Sequence, residues 1–200
     1  MKLYFLIIGA AVLLISAVNI AFGVASWYYV ILSAVFSVVM LFAVDGLIAI
    51  AIKLTPDRRY GIDSRYFDVS KRETELYVKL GVRKWKDKVW ELGGVGGFSK
   101  KELIHPDSVE YIEKFIIECN KGVVTHRLSY PAGFLIMLML PSPLSLTVAL
   151  PCAIVNLYLN VLPTIVLRYN TPKLKILLKR LKKKTRDKGI DDYKGLQYNL

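Results

Sequence analysis

The sequence contains few of the residue types that build metal sites and disulfide frameworks. Its 200 residues include two histidines and two cysteines. Cys119 and Cys152 lie far apart, and the second is within an apolar stretch, so they are interpreted as two buried thiols. The histidines and scattered carboxylates form no recognised ligand spacing either. We therefore expect no metal site and no bound cofactor.

Acidic residues are also scarce: 16 Asp+Glu stand against 28 Lys+Arg, which gives a net charge of +12. At the same time 54% of the residues are apolar, and this composition excludes intrinsic disorder. A basic chain can bind nucleic acid, but these cations cluster beside apolar runs and no nucleic-acid recognition fold is visible. The charge therefore favours anionic phospholipid headgroups and a phosphate-bearing ligand.

Long apolar segments dominate the N-terminal part. Residues 3–24 carry no charge and residues 27–52 carry one, and each run exceeds the ~20 residues that a membrane-spanning helix needs. The short connection between them predicts a hairpin of transmembrane helices. A cleaved signal peptide is the alternative, but the first run is too long for its apolar core and a second run follows at once.

A second apolar block covers residues 128–167, and its length fits two more spans. The turn between them is predicted at Pro141-Ser142-Pro143, because two prolines remove helix donors and bend the chain. The third helix would begin before residue 128, and the fourth would cover about residues 144–167. Two prolines are expected to kink or interrupt the fourth helix, namely Pro151 and Pro163.

The distribution of positive charge predicts the topology. Lys and Arg occur near both ends and between residues 53 and 127, and none lies in the two short turns. By the positive-inside rule we expect an all-α, multi-pass cell-membrane protein with four spans and both termini in the cytoplasm. The four predicted parts are a transmembrane hairpin (1–54), a cytoplasmic membrane-associated segment (55–127), a second transmembrane pair (128–168) and a basic amphipathic tail (169–200).

The polar parts contain three amphipathic patterns. Val82, Trp85, Val89 and Leu92 recur at helical spacing and predict a helix that lies in the membrane interface. A second helix is predicted over residues 107–124, with Asp107 or Ser108 as its N-cap, and a basic surface helix is predicted over residues 172–184. The apolar stripes of these last two are Tyr111, Ile112, Phe115, Ile116 and Cys119, and Leu174, Leu177, Leu178 and Leu181.

Residues 93–97 read Gly-Gly-Val-Gly-Gly and resemble a phosphate-binding loop in composition. No strand is predicted before them and no Gly-Lys-Ser/Thr follows, so a nucleotide-binding motif is disfavoured. A loop at the mouth of an active site is the preferred interpretation.

Two histidines are candidates for acid–base chemistry. His105 precedes a proline in a predicted loop and is interpreted as a surface residue. His126 lies where the chain enters the apolar block, and a titratable ring there needs a partner or a function. Glu118 lies about 12 Å from it along a straight helix. Either the helix breaks at residues 120–122, or the two groups serve different ends of one substrate.

Three further polar residues lie within the apolar runs. Asp45 is the one charged residue in the first two runs, and carboxylates in such positions are candidate functional groups. The alternative is that it pairs with a basic or amide side chain of another helix. Asn156 and Asn160, which are four positions apart, are expected to bond between helices or to line a pocket.

Three sequence blocks between residues 80 and 180 share their order and several spacings with a known family. They are Val82-Arg83-Lys84-Trp85-Lys86-Asp87-Lys88, the pair Glu118 and His126, and Asn160 followed eight positions later by Arg168-Tyr169-Asn170; Gly96, Gly97, Phe98 and Lys100 add a further element. In these features the chain resembles the glycosyl-4,4'-diaponeurosporenoate acyltransferases of carotenoid-making bacteria.

The resemblance implies a small membrane enzyme that moves an acyl group from a thioester, acyl-CoA or an acyl carrier, to a hydroxyl of a membrane glycolipid or carotenoid glycoside. It implies His126 as the general base and Glu118 as a supporting catalytic or acceptor-binding group. The residues that it assigns to the donor and to the cytoplasmic rim are Arg83, Lys84, Lys86, Lys100, Arg168, Tyr169 and Asn170.

Two other functions stay open at this point. One is a non-catalytic membrane scaffold or lipid-binding subunit whose basic segments bind anionic lipid. The other is a different lipid-modifying transferase, for instance a methyltransferase. The expected partners are membrane lipids, the acyl donor and the acceptor, and no nucleic acid.

Overall fold

A computed structural model describes residues 2–89 and 103–197 of the chain, and within these ranges all regular secondary structure is helical. Its α-helices are α1 (Lys2–Ala21), α2 (Trp27–Leu54), α3 (Lys71–Lys79), α4 (Val82–Trp85), α5 (Val109–Ala132) and α6 (Leu150–Gln197). Short 3₁₀ turns cover Asp57–Tyr60, Arg65–Phe67, Lys86–Lys88 and Gly133–Leu138, and a π-helical turn, Ser145–Ala149, leads into α6. The predicted all-helical class is confirmed for the described residues.

Three helical stretches in the described ranges are long and apolar enough to cross a membrane: Tyr4–Ala21, Trp27–Leu54 and Ser145–Asp187. The first two leave large apolar side chains exposed, among them Leu14 on the first and Leu47 on the second, each at 67%. Such surfaces are stable against lipid and unfavourable in water. These helices indicate a membrane protein, with three candidate spans among the described residues where the sequence predicted four.

The predicted third span falls at the end of α5. The helix begins at Val109 with Ser108 as its N-cap, and the Ser108 hydroxyl accepts from the Tyr111 N–H at 3.1 Å. This start agrees with one of the two predicted caps. Because its first half is rich in charged residues, α5 offers no long apolar window. The predicted turn at Pro141-Ser142-Pro143 is present between Leu138 and the π-helical turn.

Helix α6 is 48 residues long, about 72 Å at the usual helical rise. It continues through Pro163 and Pro172. Of the two predicted effects of Pro163, an interruption of the helix is therefore wrong, and a kink stays a prediction. The predicted tail is the second half of the same helix.

Side chains of α1 compensate for two of the prolines. A proline in a helix leaves the carbonyl four residues earlier without its donor. The Tyr4 hydroxyl donates to the Leu159 carbonyl at 3.5 Å, four positions before the second proline of α6, and the Asn19 amide donates to the Thr147 carbonyl at 2.9 Å, four positions before the first. These bonds supply the donors that the prolines lack, which is how neighbouring helices make proline tolerable in a membrane.

The second half of α6 packs antiparallel on α5. Lys182 pairs with Glu113 at 2.6 Å near one end of the contact, and Asn160 meets His126 further along. The predicted apolar stripes face each other here, so α5 covers the leucines of the tail. The sequence-based prediction that these leucines lie on the bilayer is therefore wrong. The buried members of this seam are Ile112, Phe115, Ile116, Cys119, Val123, Leu167, Leu174, Leu178 and Leu181.

The predicted interfacial helix around Trp85 is wrong in its extent. The backbone is α-helical only over Val82–Trp85, and a single 3₁₀ turn follows. Val82 and Val89 are buried, and Trp85 and Val89 pack against α1 and α6, so protein covers the face that was expected to contact lipid. The predicted features that lie outside the described residues are Leu92, the glycine run at 93–97 and Lys100.

Arg168 fixes the central segment to α6. Its guanidinium donates to the Glu73 carboxylate and to the Asp68 carbonyl, the latter at 3.0 Å, and the side chain is 7% exposed. The hydroxyl of Tyr77 donates to the same carboxylate. The guanidinium holds the pKa of Glu73 below its usual value, while burial and the neighbouring carboxylate raise the pKa of Tyr77 to about 12.

We expect Arg168→Met to lower the free energy of unfolding by about 2–3 kcal/mol, because the carboxylate of Glu73 then lacks its buried partner. The control Lys175→Met changes another residue of the same helix and removes its ion pair with Asp68, whose side chain is 60% exposed. It should lower the free energy of unfolding by less than about 1 kcal/mol. Thermal unfolding in detergent micelles compares the two variants. Equal losses would contradict the anchoring role.

The same pair predicts an acid-sensitive stability. Since the pKa of Glu73 is lowered in the folded state, its contribution is complete above the unfolded-state pKa and is lost as the pH falls through the folded-state pKa. Glu73→Gln should therefore be less stable than the wild type at pH 7. Below pH 5 its unfolding temperature should change less with pH than that of the wild type. An unchanged acid slope in this variant would assign the dependence to other carboxylates.

Candidate functional site

A cavity of about 610 Å³ lies among α1, α2, α5 and α6. Along α2 its lining changes from Val38 and Leu41 through Asp45 to Lys53. One end is therefore apolar and the other is cationic, which suits a ligand with an alkyl chain and an anionic head. Of the lysines in the described ranges, four line it: Lys53, Lys86, Lys114 and Lys121.

Three helices meet at the side chain of Asn160, midway along this cavity. Its amide nitrogen lies 3.0 Å from Asp45 Oδ2 on α2, and 3.1 and 3.3 Å from the main-chain and side-chain oxygens of Asn156. Its amide oxygen lies 2.8 Å from His126 Nδ1 on α5. Three oxygens around one end fix the orientation of the amide, because the reversed orientation would place oxygen against oxygen.

This orientation fixes the tautomer of His126. The Asn160 oxygen can only accept, so Nδ1 of the ring carries the proton and donates. In the neutral ring the lone pair is then on Nε2, which is the form of a general base. Asp45 Oδ2 accepts from the Asn160 amide, so through Asn160 it would stabilise the positive charge of a ring that took up a second proton.

The sequence singled out Asp45, His126 and Asn160 one by one, and the structure joins them in one chain of hydrogen bonds. The alternative in which Asp45 pairs with an amide of another helix is the observed one. Their connection depends on how three helices pack, and no spacing within one helix encodes it. Ser129, which lies three positions after His126 and lines the same cavity, was missed although helical spacing places it on a neighbouring face.

Helix α5 does not break between Glu118 and His126. The two residues therefore line the same cavity at different depths, as one of the two sequence alternatives required. The Glu118 carboxylate lies 3.3 Å from Lys114 Nζ and 3.9 Å from Lys121 Nζ. The Glu118 carboxylate therefore belongs to the cationic end of the cavity, two helical turns away from His126.

Asp57 completes the charged cluster at this end. Its carboxylate lies 2.8 Å from Lys114 Nζ and 2.6 Å from Lys121 Nζ. Hydrogen bonds from these two lysines lower the pKa of Asp57, with Lys114 contributing most, and the same bond raises the pKa of Lys114. Asn120 adds a bond of 2.9 Å to the Tyr60 carbonyl, so the 3₁₀ turn Asp57–Tyr60 is held against α5.

The residues predicted to bind the donor lie in several places. Lys86 lines the cavity, with its Nζ 2.9 Å from the carboxylate of Asp87. Arg83 and Lys84 are exposed and do not line it, and Arg168 is engaged by Glu73. Of the remaining two, Asn170 lines the cavity, and Tyr169 lies with its ring centroid 3.4 Å from Lys173 Nζ.

His105 occupies the surface, as the sequence predicted. Its side chain is exposed, and its ring meets Tyr111 edge to face with centroids 5.4 Å apart. Across the described ranges, no three His, Cys, Asp or Glu side chains lie close enough together to hold a metal ion.

The hydrogen-bond chain predicts the protonation state of His126. In the wild type the neutral ring carries its proton on Nδ1, and we expect Asn160→Leu to remove this bias because the acceptor is lost. Nitrogen-15 NMR of histidine-labelled protein reads the tautomer directly. The resonances of His105 serve as the internal control and should stay unchanged, whereas an Nδ1-protonated His126 in Asn160→Leu would contradict the assignment.

Comparison with known proteins returns one family. The sequence model of glycosyl-4,4'-diaponeurosporenoate acyltransferase matches residues 63–180, which is more than half of the chain. No curated protein and no solved structure matches. The matched range contains His126 and Asn160, and of the lysines that line the cavity it contains Lys86, Lys114 and Lys121. Asp45 and Lys53 lie before it. The chain belongs to the glycosyl-4,4'-diaponeurosporenoate acyltransferase family, as the three sequence blocks predicted.

Proposed function

We propose that this protein transfers an acyl group from a thioester donor to a hydroxyl of a glycosylated carotenoid-like lipid. The observation that carries the proposal is the hydrogen-bond chain from Asp45 through Asn160 to His126 inside a cavity with an apolar and a cationic end. Membership of an acyltransferase family supports the reaction class.

In the proposed reaction His126 Nε2 takes the proton from the acceptor hydroxyl. The hydroxyl oxygen attacks the thioester carbonyl carbon, a C–O bond forms, and the C–S bond breaks. The proton then passes from the ring to the departing sulfur, so the products are an ester and a free thiol. Asn160 and Asp45 stabilise the transient positive ring between the two proton transfers.

The two ends of the cavity suit the two parts of the donor. An acyl chain packs among apolar side chains such as Leu41 and Val155, and phosphates of coenzyme A or of an acyl carrier prosthetic group pair with lysines at the other end. Lys53 lies at the end of α2, where the positive-inside rule places the cytoplasm. The proposal therefore has the donor approach from the cytoplasm in a multi-pass arrangement. Both termini lie on this side if the end of α5 and the turn Gly133–Leu138 form a further crossing, from which the antiparallel α6 returns.

Mass spectrometry of lipids tests the reaction. The purified protein is reconstituted with long-chain acyl-CoA and a lipid extract that contains carotenoid glycosides. A product heavier by one acyl group should form with the wild type, and His126→Ala should slow its formation about 100- to 10,000-fold because a general base is lost.

His105→Ala is the matched control, since it removes the other histidine from an exposed position. It should retain wild-type activity. Residual activity of more than a few per cent in His126→Ala would remove the base assignment. Absence of product with folded protein, from both acyl-CoA and acyl-carrier donors, would favour the scaffold function.

Two neighbouring lysines test the donor site. Lys86 lines the cavity and Lys84 does not, although the two lie two positions apart. We expect Lys86→Gln to raise the KM for acyl-CoA about 5-fold, since a partly exposed charge pair is worth up to about 1 kcal/mol, and Lys84→Gln to leave it unchanged. Initial rates over a series of donor concentrations measure both values. A larger rise of this KM in Lys84→Gln than in Lys86→Gln would contradict a donor site in the cavity.

A further inference from the structure

Three residues that line the cavity each carry a buried polar atom that makes no hydrogen bond. The atoms are Asp45 Oδ1, Ser129 Oγ and Asn156 Nδ2. Ser129 is 1% exposed. A buried polar atom without a partner costs free energy, so such atoms on residues that line a cavity point to a ligand that supplies the missing bonds.

These atoms surround the hydrogen-bond chain. Asp45 and Asn156 both contact the amide nitrogen of Asn160, the former at 3.0 Å and the latter at 3.3 Å through its side-chain oxygen. Ser129 lies about one helical turn after His126 on α5. One further turn along is Gly133, where a Cβ atom would lie 3.0 Å from Asn156 Nδ2. A glycine there leaves room for the amide group between α5 and α6.

The three atoms define the chemistry of the ligand. A carboxyl oxygen accepts, an amide N–H donates, and a hydroxyl does either. A phosphate or a carboxylate would be repelled by Asp45, and the lysines that suit such groups line the other end of the cavity. Neighbouring hydroxyls on an uncharged sugar ring match the set, because each hydroxyl both donates and accepts.

We propose that Asp45, Ser129 and Asn156 bind the sugar ring of the acceptor and present one of its hydroxyls to His126. This inference rests on the proposed function and names the residues that recognise the acceptor. Asp45 then has two roles: Oδ2 holds Asn160, and Oδ1 accepts from a sugar hydroxyl. The sugar ring then lies beside the hydrogen-bond chain, midway along the cavity, and the donor head lies at the cationic end.

Direct binding tests the site with defined probes. Radiolabelled dodecyl β-D-glucoside is equilibrated with the protein in nanodiscs, against empty nanodiscs, and is compared with a dodecyl tetraethylene glycol ether that has the same tail and no sugar. The wild type should bind the glucoside about 10-fold more tightly than the ether. Ser129→Ala and Asn156→Leu should each weaken glucoside binding about 3- to 10-fold and leave the binding of the ether unchanged, as expected for one lost hydrogen bond.

Ser16→Ala is the matched control. Its hydroxyl is also buried without a hydrogen bond, but it does not line the cavity, so glucoside binding should not change. Ser129→Ala removes an unpaired hydroxyl and should unfold no earlier than the wild type, which keeps the test valid if Asn156→Leu is unstable. Equal glucoside binding by wild type and Ser129→Ala would overturn the sugar site.

Kinetics separate this inference from the reaction itself. Ser129→Ala should raise the KM for the glycoside acceptor and leave the KM for acyl-CoA unchanged. Sugar-dependent binding without acyl transfer would support the site and overturn the proposed reaction. Acyl transfer with an unchanged acceptor KM in both variants would overturn the site and leave the reaction in place.

Discussion

The antiparallel contact between α5 and α6 is the constraint on which the rest of the structure depends. Its apolar seam sets the register of the two helices, and that register places His126 opposite Asn160. The same contact positions Arg168 of α6 beside Glu73 of α3, and this ion pair holds the segment before α4 against α6. Buried apolar side chains supply the stability of this contact, and its polar bonds depend on the positions that the apolar contact defines.

The residues of this seam could largely be predicted from the sequence, but the packing of the two stripes on each other could not. The stripe of α5 and the leucines of the tail were recognised by their helical spacing, and Ser108 by its capping chemistry. The stripe of the tail was expected to face the bilayer, because one amphipathic helix gives no information about its partner. An apolar stripe in the sequence has the same pattern whether it packs against lipid or against a second helix.

The candidate site divides in the same way. His126, Asp45 and Asn160 were found because polar residues within apolar runs are conspicuous. Their connection, and the exclusion of Arg83 and Lys84 from the cavity, depend on distances between elements far apart in the chain. Prolines misled the prediction for α6, because the donors that replace the missing bonds come from α1.

The lengths of the helices have a consequence for the membrane around the protein. At about 72 Å, α6 is more than twice as long as the ~30 Å hydrocarbon layer, so part of this helix extends beyond the layer. The bond between His126 and Asn160 belongs to its antiparallel contact with α5. Helix α2, about 42 Å long, also exceeds this layer, and tilting is one of the ways in which a long helix matches a thinner bilayer. Asp45 lies on α2, so a tilt of this helix relative to α6 would change its distance from Asn160. Hydrophobic mismatch would then act on the bond that joins α2 to α6 in the hydrogen-bond chain.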